Sequence, residues 1–228
     1  MRQPVNTLSN LGFVAAGLLV AARAGRDGGL GTGTLALRPG LATAYACVVV
    51  LLGPASMAMH ATESSLGGHL DLASMYLIAG FAVAYAAMRR WERGPGFLAA
   101  TYAAVVLACE LVGLLGEAPW LGHMGNVAFG TCLAAALWLE SRVARAGGVA
   151  LDVRWAWAAA GSILVALAVW TTAKTGSPLC FPGSLYQGHG VWHLLCAVSA
   201  WCLFRLYVSE RPVSRTSLSP SAAARRPG

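Results

Sequence analysis

Two histidines near the carboxyl end of the chain are spaced as metal ligands on one helix would be. His189 and His193 are four residues apart, and such residues lie on the same helix face, one turn from each other. Their imidazoles can therefore bind one metal ion. His60 would be a third nitrogen ligand, and three protein ligands with a fourth position left for water are the usual composition of a catalytic zinc site.

A hydroxyl and a carboxylate accompany the first of these histidines. Ser56 precedes His60 by one helical turn, and Asp71 follows it by 11 residues. A carboxylate next to metal-bound water can act as its general base, and a hydroxyl can donate to a developing oxyanion. We therefore predict Asp71 and Ser56 as catalytic residues beside the histidines.

Other interpretations of the histidines are open at this point. A histidine in a membrane helix is often a hydrogen-bonded packing residue, and a single pair at i and i+4 arises by chance in many chains. Axial haem ligands must face each other across the iron, which two residues on one helix face cannot do, whereas His60 opposite one of them could. We interpret His69 and His123 as loop or interfacial residues, and Glu63 and Glu117 as solvated or capping groups.

The composition indicates the kind of fold that must position these groups. The 228 residues are 57% hydrophobic and 11% charged, whereas ordinary soluble domains contain about 25% charged residues. This predicts an integral membrane protein. The net charge of +7 does not indicate a nucleic-acid partner, because 15 of the 16 basic residues are arginines at the edges of apolar runs, with little aromatic interleaving.

Seven apolar segments are close to the length that a membrane helix needs, about 20 residues for about 30 Å of hydrocarbon. They are Asn6–Ala22, Leu41–His60, Leu70–Met88, Gly96–Leu115, Pro119–Leu139, Trp155–Ala173 and Gly190–Phe204. The seventh is short, but uncharged sequence precedes it. We therefore predict an all-α, polytopic membrane protein with a bundle of seven transmembrane helices.

Basic residues are distributed unequally between the two sides of these segments. Arg2 and Lys174 lie on one side, and the other 14 of the 16 lie in the alternate loops and the tail. Because cytoplasmic loops are enriched in Lys and Arg, we predict an outside amino terminus and a cytoplasmic carboxyl terminus. The 14 residues are Arg23, Arg26, Arg38, Arg89, Arg90, Arg93, Arg142, Arg145, Arg154, Arg205, Arg211, Arg215, Arg225 and Arg226.

The polar groups within the segments are predicted to lie in the outer half of the bundle. Ionisable side chains inside a bilayer cost at least a few kcal/mol each, so their positions are informative. His60, Asp71 and His189 all lie near the outer ends of their segments, and Asn6 and Asn10 open the first segment on that side. We interpret Asn6 and Asn10 as structural or close to the site.

The domain organisation follows from the same pattern. Residues 1–210 are predicted to form the seven-helix domain, and residues 211–228, rich in Ser, Pro and Arg, a disordered basic cytoplasmic tail. The apolar run after Arg2 can also be interpreted as a signal peptide. Asn6, Ser9 and Asn10 share one helix face, which favours a retained first helix.

Three stretches of the chain carry its most specific motifs. They are Asn6-Thr7-Leu8-Ser9-Asn10, then Ser56-Met57-Ala58-Met59-His60-Ala61-Thr62 with Asp71 11 residues after His60, then Gln187-Gly188-His189-Gly190-Val191-Trp192-His193. In order and internal spacing they resemble the signatures of the alkaline ceramidase family, which belongs to a superfamily of seven-helix metal-dependent hydrolases that includes the adiponectin-type receptors. The resemblance covers nearly the whole chain.

The resemblance implies a site and a reaction. It implies that His60, His189 and His193 hold zinc. It further implies that Asp71 activates water and that Ser56 assists at the metal or the oxyanion. The implied reaction is hydrolysis of the amide bond of ceramide or a similar N-acyl lipid, giving a fatty acid and a free amine.

The amino terminus departs from the family. Family members carry an Asp-Trp-Cys-Glu-like stretch before the first helix and a Glu three residues ahead of the Asn-Thr-x-Ser-Asn motif, which together form a calcium site. That stretch is absent here, and Gln3 occupies the Glu position. We therefore do not expect Ca²⁺ as a cofactor and assign no calcium ligand. The chain is then either a calcium-independent variant or the product of a start codon assigned too far downstream.

Taken together, these features predict a zinc-dependent intramembrane hydrolase in a bacterial-type inner membrane or a eukaryotic endomembrane. Its expected partners are a lipid substrate and the bilayer, with no nucleic acid and no obligate protein partner. A receptor or sensor with a structural metal site and a small-solute transporter are the alternatives. Ser56 and Asp71 favour the enzyme, because structural zinc sites close all four positions with protein ligands and no internal repeat typical of transporters is evident.

Overall fold

The fold was analysed on a computed structural model, which describes residues 2–173, 176, 177, 184 and 187–213. In that part of the chain, seven helical spans are long and apolar enough to cross a membrane, which confirms the predicted all-α polytopic class. They are Pro4–Ala24, formed by α1 (Pro4–Ser9) and α2 (Leu11–Ala24), then α4 (Pro39–Thr62), α5 (Ser65–Arg90), α6 (Pro95–Gly113), α7 (Met124–Arg145), α8 (Val153–Thr172) and α9 (Gly188–Val208).

Short elements connect the spans. A one-turn helix, α3 (Thr34–Leu37), precedes α4. Two antiparallel pairs of short strands join β1 (Glu117–Ala118) to β2 (Gly122–His123) and β3 (Val149–Ala150) to β4 (Arg211–Pro212). The described structure thus extends past residue 210, the predicted end of the helical domain, and residues 214–228 of the predicted tail lie outside it.

Helix boundaries follow local chemistry. Pro39 and Pro95 occupy the first turns of α4 and α6, where a missing N–H removes no intrahelical hydrogen bond. Glu63 ends α4 in the left-handed conformation, with φ of 51°. The next residue, Ser64, caps α5 by accepting a 3.0 Å hydrogen bond from the backbone N–H of Gly67. This tight connection brings α5 back alongside α4.

One predicted segment differs clearly from its helix. The uncharged stretch predicted a span starting at Pro119, but α7 begins at Met124. The β1–β2 hairpin occupies the residues before it, and Gly116 and Gly122 both have positive φ, which favours turns over helix. Hydropathy does not distinguish an apolar turn from the first turn of a helix.

Close helix packing positions the amino-terminal span. α2 lies against α4 and α9, and α1 contacts the same two helices. A Cβ atom on Gly17 would lie 2.9 Å from the carbonyl oxygen of Ala46 in α4, so only glycine permits this approach. The Tyr45 hydroxyl donates to the carbonyl of Ala200 across the α4–α9 contact, at 2.7 Å. The start of the chain is thereby held against the end of α4 and the beginning of α9.

Candidate metal centre

Three histidines from two distant helices meet in the bundle. His60 lies in the last turn of α4, and His189 and His193 lie in the first two turns of α9. Their ring centroids are 4.7, 4.9 and 4.8 Å apart. One nitrogen from each ring lies within 4.8 Å of the other two, and the group is buried apart from the partly exposed His189. The group could hold a metal ion.

The hydrogen bonding of His60 fits metal ligation. Its Nε2 atom is buried and has no hydrogen-bond partner in the described part of the chain, and such an unpaired buried atom is costly. A metal ion among the three rings would use this lone pair. Imidazole ligands suit zinc, copper, iron and nickel, so the donor set supports a transition metal without naming one.

Gln3 determines which nitrogen of His60 carries the proton. The Gln3 amide nitrogen donates to the Glu63 carboxylate at 2.6 Å, so its oxygen faces His60 Nδ1, at 2.7 Å. An amide oxygen only accepts, and Nδ1 must therefore carry the proton. Nε2 is left as the lone-pair nitrogen that a metal needs.

The Glu63 carboxylate is itself fixed on the outer surface of the bundle. Hydrogen bonds from Gln3 and Arg2 lower the pKa of this exposed group below its usual value. Glu63 is therefore ionised at neutral pH. A charged acceptor holds the Gln3 side chain in the orientation that His60 requires.

Ser9 orients His193 in the same way. The Ser9 hydroxyl donates its one proton to the carbonyl oxygen of Asn6, at 2.9 Å. Its oxygen lies 2.8 Å from His193 Nδ1 and, with the hydroxyl proton directed to Asn6, accepts from that nitrogen. In this arrangement His193 Nδ1 carries a proton and Nε2 is the available ligand atom. Two of the three histidines share one tautomer, each set by a side chain near the start of the chain.

Asp71 and Ser56, the predicted catalytic residues, lie in the same cavity as two of the histidines. Both line the cavity that His189 and His193 also line. The buried Ser56 hydroxyl faces the Asp71 carboxylate without forming a standard hydrogen bond. Within the described residues, Asp71 is not a member of the group able to hold a metal ion. The carboxylate and hydroxyl are therefore available to a bound molecule.

The remaining polar residues of this end have structural contacts. The amide nitrogen of Asn10 donates to the Asn6 carbonyl at 2.8 Å, and that of Asn6 donates to the Gln3 side chain at 2.9 Å. His69 lies 3.7 Å from Glu110 on the surface. His123 caps α7 by accepting from the N–H of Gly125. None of these belongs to the three-histidine group.

A cavity of about 1000 Å³ extends from the histidines along the bundle. Its wall is mainly apolar, and most of the lining residues come from α5, α7, α8 and α9. The cavity reaches Glu140 and Tyr207 toward the opposite end of the bundle. α7 and α8 make little contact with each other, whereas α8 packs closely on α9. The cavity is therefore bordered by a gap between two membrane-spanning helices.

The expectation that polar groups lie only in the outer half was wrong. At the opposite end, the buried Arg89 side chain pairs with Glu140 and, at 2.8 Å, with Glu210. Glu210 also accepts from the backbone N–H and the hydroxyl of Thr34, at 2.9 and 2.5 Å. The Arg89 guanidinium lies 4.5 Å from the centre of the Tyr85 ring. We call Arg89, Glu140, Glu210 and Thr34 the arginine cluster.

Sequence reasoning missed Gln3 and Ser9 as positioning residues and Glu140 and Glu210 as buried ones. Ser9 was noted only as a member of a polar helix face, and Arg89 only as a loop charge. The available signal is that Arg89 and Glu140 each directly follow an apolar segment, and both helices continue past these residues. For the contact of Gln3 with His60 and Glu63 no sequence signal exists, because these two residues are more than 50 residues away.

Comparison of the chain with models of known protein families gives no match, and comparison with curated proteins gives none either. The function must therefore be argued from the chemistry of the site.

Proposed function

We propose that the chain is a zinc-dependent intramembrane hydrolase that cleaves the amide bond of a membrane lipid, ceramide or a similar N-acyl lipid, to a fatty acid and a free amine. The observation that carries the proposal is the three-histidine group beside Asp71 and Ser56, facing an apolar cavity. On the same residues we propose membership of the alkaline ceramidase family.

Zinc is the metal that we assign to His60, His189 and His193. Three neutral imidazoles are a known catalytic zinc ligand set, and such sites keep a position for water or substrate. When bound, zinc supplies Lewis acidity, which polarises a carbonyl and lowers the pKa of water to near neutrality. Gln3 and Ser9 hold two of the rings in the tautomer that presents Nε2.

The proton transfers are assigned to Asp71. Its carboxylate accepts a proton from the attacking water and then delivers it to the nitrogen of the leaving amine, which departs neutral. The Ser56 hydroxyl, which faces the Asp71 carboxylate, is assigned to donate to the oxygen of the scissile carbonyl as negative charge develops there.

The cavity supports a lipid as substrate. An acyl chain needs an apolar wall, and residues such as Phe129, Leu133, Ile163 and Leu167 provide one from both α7 and α8. Because the cavity lies along a gap between these helices, a lipid can enter from the bilayer without passing through water. The amide of the bound lipid then lies at the histidine end.

We also propose the orientation of the bundle in its membrane. With 14 of the 16 basic residues in alternate loops and the carboxyl-terminal tail of the sequence, the positive-inside rule supports a cytoplasmic carboxyl terminus and an outside amino terminus. The three histidines then lie on the non-cytoplasmic side. Accessibility of a cysteine introduced at exposed Glu117, compared with one at exposed Arg145, to a membrane-impermeant thiol reagent tests this in a background without accessible native cysteines.

The proposed activity is tested with the purified, zinc-loaded protein in detergent and fluorescent N-acyl lipids that include an N-acyl sphingoid base. Wild type should release fatty acid. Asp71→Asn should lower kcat by about 10²–10⁴-fold and Ser56→Ala by about 10²–10³-fold, with zinc content unchanged. Asp27→Asn, which alters an exposed loop carboxylate, is the matched control.

Two results would overturn the proposal. One is full activity of Asp71→Asn. The other is a zinc-loaded wild type that releases no fatty acid from any lipid amide tested, which would favour the receptor or sensor with a structural metal.

A further inference from the structure

A second cavity lies at the arginine-rich end of the molecule. It has a volume of about 800 Å³ and shares no lining residue with the cavity at the histidines. The loop after α2, the β3 strand with the start of α8, and the end of α9 form its wall. We call it the basic cavity, because Arg23, Arg154, Arg205 and Arg211 line it.

Its arginines outnumber the acidic groups available to them. Only two carboxylates line the cavity, and both are already paired. Asp152 accepts two hydrogen bonds from Arg154, each 2.9 Å long. Glu210 is held by Arg89, which lies behind the wall. Among the described residues, Arg23, Arg205 and Arg211 therefore form no ion pair, and Arg211 interacts with Asp152 only at longer range.

Aromatic side chains hold Arg205 in place. The Arg205 guanidinium lies 4.2 Å from the centre of the Trp155 ring and 5.8 Å from that of Trp201. Such stacking uses the face of the guanidinium and leaves its edge donors available. The Nε atoms of Arg205 and Arg23 are buried and have no hydrogen-bond partner in the described part of the chain.

An unpaired buried donor is costly unless a ligand accepts from it. Arginine donors match the oxygens of a phosphate group in pairs. The cavity also lies where α2 and α9 end and α8 begins, at one boundary of the helices that can span a membrane. Basic pockets between membrane helices on the cytoplasmic side bind anionic lipid headgroups.

From this geometry we propose that the basic cavity binds a phosphate group, carried by an anionic phospholipid headgroup or by a soluble phosphate ester. The phosphate lies between Arg23 and Arg205 and draws Arg211 toward it. A bound phosphate connects the end of α2, the end of α9 and β4. Binding therefore stabilises the basic end, and it leaves the metal centre unchanged.

The test uses the full chain, purified in a non-ionic detergent and phosphate-free buffer. Three probes are compared: a short-chain phosphatidylglycerol, a phosphatidylcholine of the same chain length and glycerol 3-phosphate. Binding is measured by native mass spectrometry and by the shift in unfolding temperature. Phosphatidylglycerol should bind and raise the unfolding temperature, whereas phosphatidylcholine, whose choline offsets its phosphate charge, should bind more weakly.

Arg23→Gln and Arg211→Gln should each weaken binding about fivefold, the effect of one basic residue at an anionic membrane surface. Arg26→Gln is the matched control, because Arg26 is an exposed arginine three residues after Arg23 that does not line the cavity. Arg205→Gln should weaken binding more, but it also removes the packing on Trp155. The test of phosphate binding therefore relies on the Arg23 and Arg211 variants.

Equal binding of phosphatidylglycerol by wild type, Arg23→Gln and Arg211→Gln would overturn the proposal. So would an equal loss in the Arg26→Gln control, since that would indicate general surface attraction. If glycerol 3-phosphate binds as tightly as phosphatidylglycerol, the phosphate site is supported and its ligand is a soluble phosphate ester. If only the lipid binds, the phosphate site is supported and its ligand is a phospholipid headgroup.

Discussion

The two ends of the bundle both bury polar side chains, but they satisfy them in opposite ways. In the arginine cluster, the charge of Arg89 is matched by Glu140 and Glu210, and Thr34 donates twice more to Glu210. At the metal centre, the three histidines have no opposite charge among them, and the Nε2 atom of His60 has no partner within the described chain.

This difference separates a polar cluster that is satisfied within the chain from one that is not. Buried charges that are paired within the chain stabilise one arrangement of the helices, and breaking one partner is strongly unfavourable. Buried lone pairs that converge without a partner within the chain require a ligand. The comparison predicts that changes at the arginine cluster affect stability and that changes at the histidine end affect metal affinity.

The largest expected effect on stability is that of Arg89→Ala. It leaves two buried carboxylates without their cation, which should lower the free energy of unfolding by about 3–5 kcal/mol. Thermal unfolding in detergent measures the change. Arg90→Ala removes the same charge from the next position, where no ion pair is formed within the described residues, and should change stability by at most about 0.5 kcal/mol.

Equal unfolding temperatures for Arg89→Ala and Arg90→Ala would contradict the structural role of the cluster. Loss of metal from the Arg89 variant while it is still folded would instead show that the two ends are not separate.

The next effect concerns the side chains that orient the histidines. Gln3→Ala and Ser9→Ala remove the acceptors of His60 and His193, and each should weaken zinc binding by about 10–100-fold. Competition with a chromophoric chelator measures the affinity. Ser141→Ala, which removes a hydroxyl near the other end of the bundle, should leave it unchanged. Unaltered affinity in both orienting variants would mean that the tautomers are set without these contacts.

The smallest expected effect is the pH dependence of the arginine cluster. Burial raises the pKa of Glu210, but the charge of Arg89 and the donors of Thr34 outweigh it, and the net pKa lies below its ordinary value of 4.5. A carboxyl whose pKa is lower in the folded state stabilises the fold above its unfolded pKa, and that stability is lost as pH falls through the folded pKa. Unfolding temperature should therefore decline below about pH 4.5.

Glu210→Gln provides the check on this assignment. The variant should be less stable than wild type at pH 7, and its unfolding temperature should decline less steeply in acid. Parallel pH profiles for the two proteins would assign the acid sensitivity to other groups.

The comparison also explains how much could be predicted from the sequence. The spans follow from hydropathy, because a membrane helix needs a long apolar run. His189 and His193 share a helix face through their spacing alone. His60 and Asp71 follow from their positions at the ends of neighbouring segments, since a short connection between α4 and α5 keeps both at one end of the bundle.

The features of the site and fold that could not be predicted are contacts between residues far apart in the sequence. Arg89 pairs with Glu140 and Glu210, which are 51 and 121 residues away, and hydropathy contains no information on which helices are neighbours. Gln3 contacts His60 because α1 packs against α4. A long polar side chain near a terminus gives no local pattern from which this contact could be predicted.

The central claim is that His60, His189 and His193 together bind one zinc ion, and the most direct test is the metal content of purified protein. Mass spectrometry of metals should find about one zinc per chain in wild type and in Asp71→Asn, and less than about a tenth of that in His193→Ala. Circular dichroism should establish that each variant is folded. A folded His193→Ala protein with the zinc content of wild type, or a wild type with no bound metal after incubation with zinc, would contradict the account.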